Sequence, residues 1–87
     1  MNNLVSIGFS NIVNADRIIA IVAPDSAPSK RIVRNAKAEG RAIDATHGRR
    51  VKAVLVMENN QVVLSALTPD TLLGRFRGNI SGETDAE

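Results

Sequence analysis

"VKAVLVMENNQVVLSAL" (residues 51–67) places two β-rich runs, 51–58 and 61–67, on either side of Asn59 and Asn60. β-branched and long aliphatic side chains suit a pleated, buried surface, and asparagine tolerates the positive φ angles that a two-residue hairpin turn requires at both central positions. The stretch predicts an antiparallel hairpin. A chain of 87 residues has room for one domain, so the remaining elements must pack around that hairpin.

Upstream, "LVSIGF" (4–9) reads as a short strand interrupted by Gly8, and "NIVNAD" (11–16) as a bend followed by a second strand. In "RIIAIVAP" (17–24) Ile18, Ile19, Ala20, Ile21 and Val22 leave no polar face, so this strand needs cover on both sides. "SAPSKRIVRNAKAEG" (26–40) then predicts the main helix: Ser26 or Ala27 as N-cap, Pro28 in the first turn, Gly40 just past the end, and Ile32, Val33 and Ala36 as an apolar stripe. "RAIDAT" (41–46) reads as a strand and "HGRR" (47–50) as a turn whose flanking strands hold its base. In "TPDTLLGRF" (68–76) Thr68 is the expected N-cap, Pro69 the first helical residue, and Leu72, Leu73 and Phe76 the buried side. From about residue 79 the composition turns to Asn, Ser, Gly, Thr and acid, which predicts a disordered acidic tail over 79–87 behind a domain of residues 1–78. The expectation is an α+β fold, small, antiparallel and β-rich, with one main helix and a short C-terminal one. It has more apolar strand than one helix can cover, and self-association would supply the cover.

Hydrophobic residues make up 44% of the chain and aromatics 2%, so the core is aliphatic. The absence of cysteine removes disulfides and thiolate chemistry and suits a reducing compartment. His47 is the only histidine, which leaves no protein zinc site and, beside Asp44, no more than an imagined dyad; catalysis, a metal and a cofactor are not expected. No apolar run is long enough to span a bilayer, and "MNNLVSIGFS" lacks a basic lead-in, so the expected location is the cytoplasm, without membrane contact.

Residues 1–82 carry 11 basic and 6 acidic side chains, or +5, and 8 of the 11 are arginine. Such a body suits a polyanion. Arg49 and Arg50 follow Gly48 at a turn, where consecutive side chains diverge and both can reach outward; phosphate contact and plain surface exposure both fit. Arg17 opens the most apolar strand, as a contact or as a charged guard of a strand end. Lys30, Arg34 and Lys37 form a basic row on the helix, which a solvated face would also explain. With only Phe9 and Phe76, both in apolar sequence, the chain has no stacking platform for single strands, and duplex DNA becomes the favoured polyanion.

"IGFSNIVNADRIIAIVAPDSAPSKR", "IDATHGRRVKAVLVM" and "VVLSALTPDTL" together resemble the RemA family, small bacterial regulators of extracellular matrix genes, over about residues 5–75. The resemblance implies a nucleoid-associated activator of matrix or biofilm genes without enzymatic activity or small-molecule substrate. It implies a fold like that of LytTR-type DNA-binding domains and protomers assembled into a ring, an octamer or close to it. It also implies DNA contacts at the positions of Arg17, Arg49 and Arg50. Arg31, Arg34 and Lys52 are not carried over from the family and stand beside these as secondary DNA or subunit contacts. His47 departs from the tyrosine frequent in relatives, and "GNISGETDAE" (78–87) has no counterpart. Two rival functions use the same charges: a low-specificity architectural protein that bends DNA, and an adaptor that docks an acidic protein.

Overall fold

A computed structural model describes residues 3–81, with side chains through Arg77. The chain runs β1 (Leu4–Gly8), β2 (Asn11–Asn14), a single 3-10 turn (Ala15–Arg17), β3 (Ile18–Val22), α1 (Ala27–Ala38), β4 (Ala42–Asp44), β5 (Ala53–Met57), β6 (Val62–Ser65) and α2 (Pro69–Ser81). β1 and β2 form a hairpin of their own, and the other strands make a sheet in the order β3-β5-β6-β4.

That sheet is mixed rather than antiparallel. β5 runs antiparallel to both β3 and β6, while β4 lies parallel to β6. β3 and β4 therefore point the same way at the two edges, joined by α1, with the β5–β6 hairpin inserted between them as in a split β-α-β unit. The expected turn at Asn59 and Asn60 is also different. Met57 N–H donates to Gln61 O at 2.9 Å and Asn60 N–H donates to Met57 O at 3.1 Å, which closes a three-residue loop over residues 58–60. Only Asn60 is left-handed (φ 68°), the arrangement of a turn followed by a one-residue bulge.

Both faces of the hairpin are dry. Ala53, Leu55 and Val63 meet Val5 and Ile7 of β1 and Leu72 and Phe76 of α2, whereas Val54, Val62 and Leu64 meet Ala36 and Val33 of α1. The layers are thus α1, the mixed sheet, and the β1–β2 hairpin with α2. Ser65, fully buried, donates its hydroxyl to Ile7 O at 3.0 Å and ties the β1 layer to the sheet.

The helix ends follow the sequence closely. Ser26 is the α1 N-cap, its Oγ accepting from Ser29 N–H at 3.1 Å. At the other end Arg41 N–H donates to Ala36 O (2.8 Å) and Gly40 N–H to Lys37 O (3.3 Å), a Schellman closure that requires the left-handed φ of 74° at Gly40. The α1 stripe runs through Ser29, Val33 and Ala36, and Ile32 is exposed beside it. In α2, Thr68 Oγ1 accepts from Thr71 N–H at 3.2 Å. Leu72 and Phe76, four residues apart, form the buried edge; Leu73, about 100° further round, is 48% exposed instead of buried. α2 continues to Ser81, past the boundary drawn from composition, and the remainder of the expected tail, 82–87, lies outside the described residues. β3 does not receive the two-sided cover its sequence calls for: it is an edge strand, and Ile19 is 65% exposed.

Leu55→Ala removes a fully buried side chain from the larger cluster and should cost about 2–5 kcal/mol in urea unfolding, whereas Leu73→Ala should change stability by less than about 0.5 kcal/mol.

Candidate nucleic-acid interface

The loop between β4 and β5 starts from a fixed anchor. Asp44 Oδ1 accepts from both the N–H (2.9 Å) and the hydroxyl (2.6 Å) of Thr46, whose side chain is buried. These two donors hold the Asp44 carboxyl below the usual carboxylate range, with Lys37 adding a smaller pull in the same direction. The chain then turns: Arg49 N–H donates to Thr46 O at 3.0 Å, and the central pair His47 (φ 56°) and Gly48 (φ 80°) is left-handed at both positions, as a type I′ turn requires. This is not the tip of a β-hairpin, because β6 separates β4 from β5. The far side is anchored by Lys52 N–H donating to Ser65 O at 2.8 Å and by Val51 packing with the α1-side cluster. Arg49 and Arg50 are exposed between these two anchors.

A second turn meets the first. Phe9 (φ 54°) and Ser10 (φ 65°) connect β1 to β2, and Asn11 Nδ2 donates to Gly8 O (3.1 Å), Phe9 O (3.2 Å) and Ala45 O (3.3 Å), joining the two loops. Phe9 is 41% exposed and belongs to neither core cluster, contrary to the apolar setting its sequence suggests. Its ring stacks on His47 with centroids 5.4 Å apart and planes 10° from parallel, and Arg49 Cζ lies 5.3 Å from the Phe9 centroid.

On the α1 side, Lys30, Arg34 and Lys37 rim a groove of about 360 Å³ floored by Pro24, Val33, Val51 and Leu64. Arg50 and Lys52 line an adjoining hollow that shares Pro24 and Val51 and adds Asp25 and Thr68. One basic band therefore runs from α1 across Val51 to the arginine loop. Among the described residues the ion pairs are Arg17 with Glu58 (2.8 Å) and Arg41 with Glu39 (2.6 Å), so the six cations of the groove and loop have no acid within salt-bridge distance.

Of the sequence-predicted residues, Arg49, Arg50, Lys52 and Arg34 come together in or beside this band, and Lys30 and Lys37 join them. Arg31 is exposed and lines neither hollow. Arg17 is elsewhere: Glu58 N–H donates to Arg17 O at 2.9 Å, which puts Arg17 beyond the C-terminal end of β5, whereas Arg50 and Lys52 precede its N-terminal end. At about 3.3 Å per residue, β5 alone separates them by about 16 Å. The hydrogen bond and charge of Glu58 raise the Arg17 pKa further, so its cation is already engaged. Among the described residues no cluster of three His, Asp or Glu side chains is placed to hold a metal, and no helix is long and apolar enough to cross a membrane.

Comparison with known proteins matches residues 4–76 to the family described as extracellular matrix regulatory protein A-like, or RemA-like. The chain belongs to the RemA-like family. Its relatives include a protein of Lachnoclostridium phytofermentans, 52% identical over 85 residues (98% of this chain, 93% of the relative). Another, from Geobacillus kaustophilus, is 48% identical over 79 residues (91% of each chain), and one from Gloeothece citriformis is 55% identical over 73 residues (84% and 83%). All three carry the description of candidate regulatory proteins, none of an enzyme. The RemA-like segment contains both turns, the groove and the arginine loop.

Asp44→Ala leaves the buried Thr46 donors without their acceptor, and amide exchange over residues 46–49 should accelerate in hydrogen-exchange mass spectrometry. Because the folded Asp44 pKa is lowered, its stabilising effect is complete above the ordinary carboxylate range and is lost as pH falls through the folded value. In Asp44→Asn, which keeps an acceptor but does not titrate, that acid-limb dependence of the loop should disappear.

Proposed function

We propose that this RemA-like chain is a duplex-DNA-binding transcriptional regulator that works as a ring-shaped homo-oligomer and activates extracellular matrix genes. The observation that carries the reading is the band of five cations, Lys30, Arg34, Lys37, Arg50 and Lys52, with Arg49 beside it on the same anchored loop, none of which has a salt-bridge partner among the described residues. Unpaired guanidinium and ammonium groups on a rigid frame suit phosphate oxygens, which position a protein on a duplex without reading its sequence. Regulatory names among the relatives agree with a binding role rather than a chemical one.

Surface that a single chain leaves wet supports the oligomer. Ile12 and Ile19 are 63% and 65% exposed, Leu4 is exposed as well, and β3 offers an unpaired edge. A second copy that covers β3 would bury Ile19, and head-to-tail repetition closes into a ring when the rotation allows. Repetition would also accommodate the position of Arg17. One protomer cannot bring it to its own arginine loop, but neighbouring copies in a ring would alternate the two along a shared DNA track.

Arg49→Ala/Arg50→Ala should lose at least about tenfold in affinity for a duplex of several helical turns. The slope of log K against log salt should fall by about one for each phosphate contact removed, with mass by light scattering unchanged. Equal affinity and slope in wild type and variant would overturn the assignment. Ile19→Glu should lower the mass and, through lost avidity, weaken DNA binding by far more than the charge change alone.

A further inference from the structure

We propose that Phe9 is a positioning residue for DNA binding: its ring holds the Arg49 guanidinium in the orientation in which it meets the phosphate backbone. The inference rests on the DNA-binding reading above and extends it to an uncharged residue on another strand pair.

Three observations lead to it. A bulky side chain at φ 54° occupies backbone space that glycine or asparagine would take with far less strain, so the fold gains nothing from phenylalanine there on conformational grounds. Nor does core packing explain it, since Phe9 is 41% exposed and outside both core clusters. A strained, half-exposed residue of this kind points to a functional position. The third observation says which function. The ring is parallel to His47 on the neighbouring turn and lies 5.3 Å from Arg49 Cζ, and Asn11 clamps both turns together through the carbonyls of Gly8, Phe9 and Ala45.

A guanidinium over an aromatic face has its plane occupied while its edge donors stay free for an oxyanion. Holding that arrangement before DNA arrives reduces the side-chain freedom lost on binding. Arg50 has no such ring, so the two adjacent arginines differ: one is preorganised and the other adapts.

The test compares wild type, Phe9→Gly, Phe9→Tyr, Arg49→Ala and the Phe9→Gly/Arg49→Ala double variant for affinity to one fluorescent duplex and for thermal midpoint. Steeply salt-dependent binding by wild type is the check on the underlying reading; its absence removes that reading and the inference with it. Given binding, Phe9→Gly should melt at or above the wild-type temperature, because glycine accepts the left-handed backbone, yet bind about two- to fivefold more weakly. Phe9→Tyr should bind as wild type, and the double variant no more weakly than Arg49→Ala alone. Wild-type affinity in Phe9→Gly, losses that multiply in the double variant, or a lowered melting temperature in Phe9→Gly would each overturn the proposal.

Discussion

Val54 and Leu55 are neighbours in sequence, point to opposite faces of the sheet, and are both shut away from water. The rest of the architecture depends on that double burial. A hairpin that is dry on both faces cannot exist without a layer on each side, and in this chain α1 supplies one while β1, β2 and α2 supply the other. The strands β3 and β4 then have only the edges left to occupy, and the β4–β5 connection must pass over β6. This detour places Arg49, Arg50 and Lys52 where the loop meets the N-terminal end of β5, one of the sheet's two inner strands. It also brings Val51 against α1, so the basic face of the helix and the arginine loop become one surface.

The parts of the fold that local chemistry specifies were legible in the sequence. The β5–β6 pairing, the α1 caps at Ser26 and Gly40, and the Thr68-Pro69 start of α2 each depend on residues within a few positions of one another. What the sequence concealed depends on partners far along the chain. "AID" at 42–44 carries no signal for a parallel neighbour, because that neighbour, β6, lies 20 positions further along the chain. Leu73 and Ile32 are apolar but fall just outside the buried stripes, a difference of about one residue's rotation around a helix. At 58–60 two asparagines suggest two left-handed residues, yet Glu58 joins the loop and one left-handed residue suffices.

The candidate site divides in the same way. Arg49 and Arg50 announce themselves by following glycine, and the helical row of Lys30, Arg34 and Lys37 is a matter of spacing. That the row and the loop share a groove is tertiary information, carried by Pro24 and Val51. Phe9 was invisible as a surface residue because hydrophobicity assigns it to a core, and its position depends on a left-handed turn that "GFSN" does not advertise. For Arg17 the charge is evident in the sequence, but the partner Glu58, 41 positions away, is not.

If α1 and the arginine loop act as one DNA-facing band, as proposed, the chain carries a built-in reporter for it. Lys30, Lys37 and Lys52 are its only lysines, and all three line the band. Acetylation rates at each lysine, measured by mass spectrometry with and without a saturating duplex at low salt, would test the band directly. Protection of all three, reversed as salt rises, is the expected result. Unchanged rates at Lys30 and Lys37 while DNA is bound would take α1 out of the interface and contradict it.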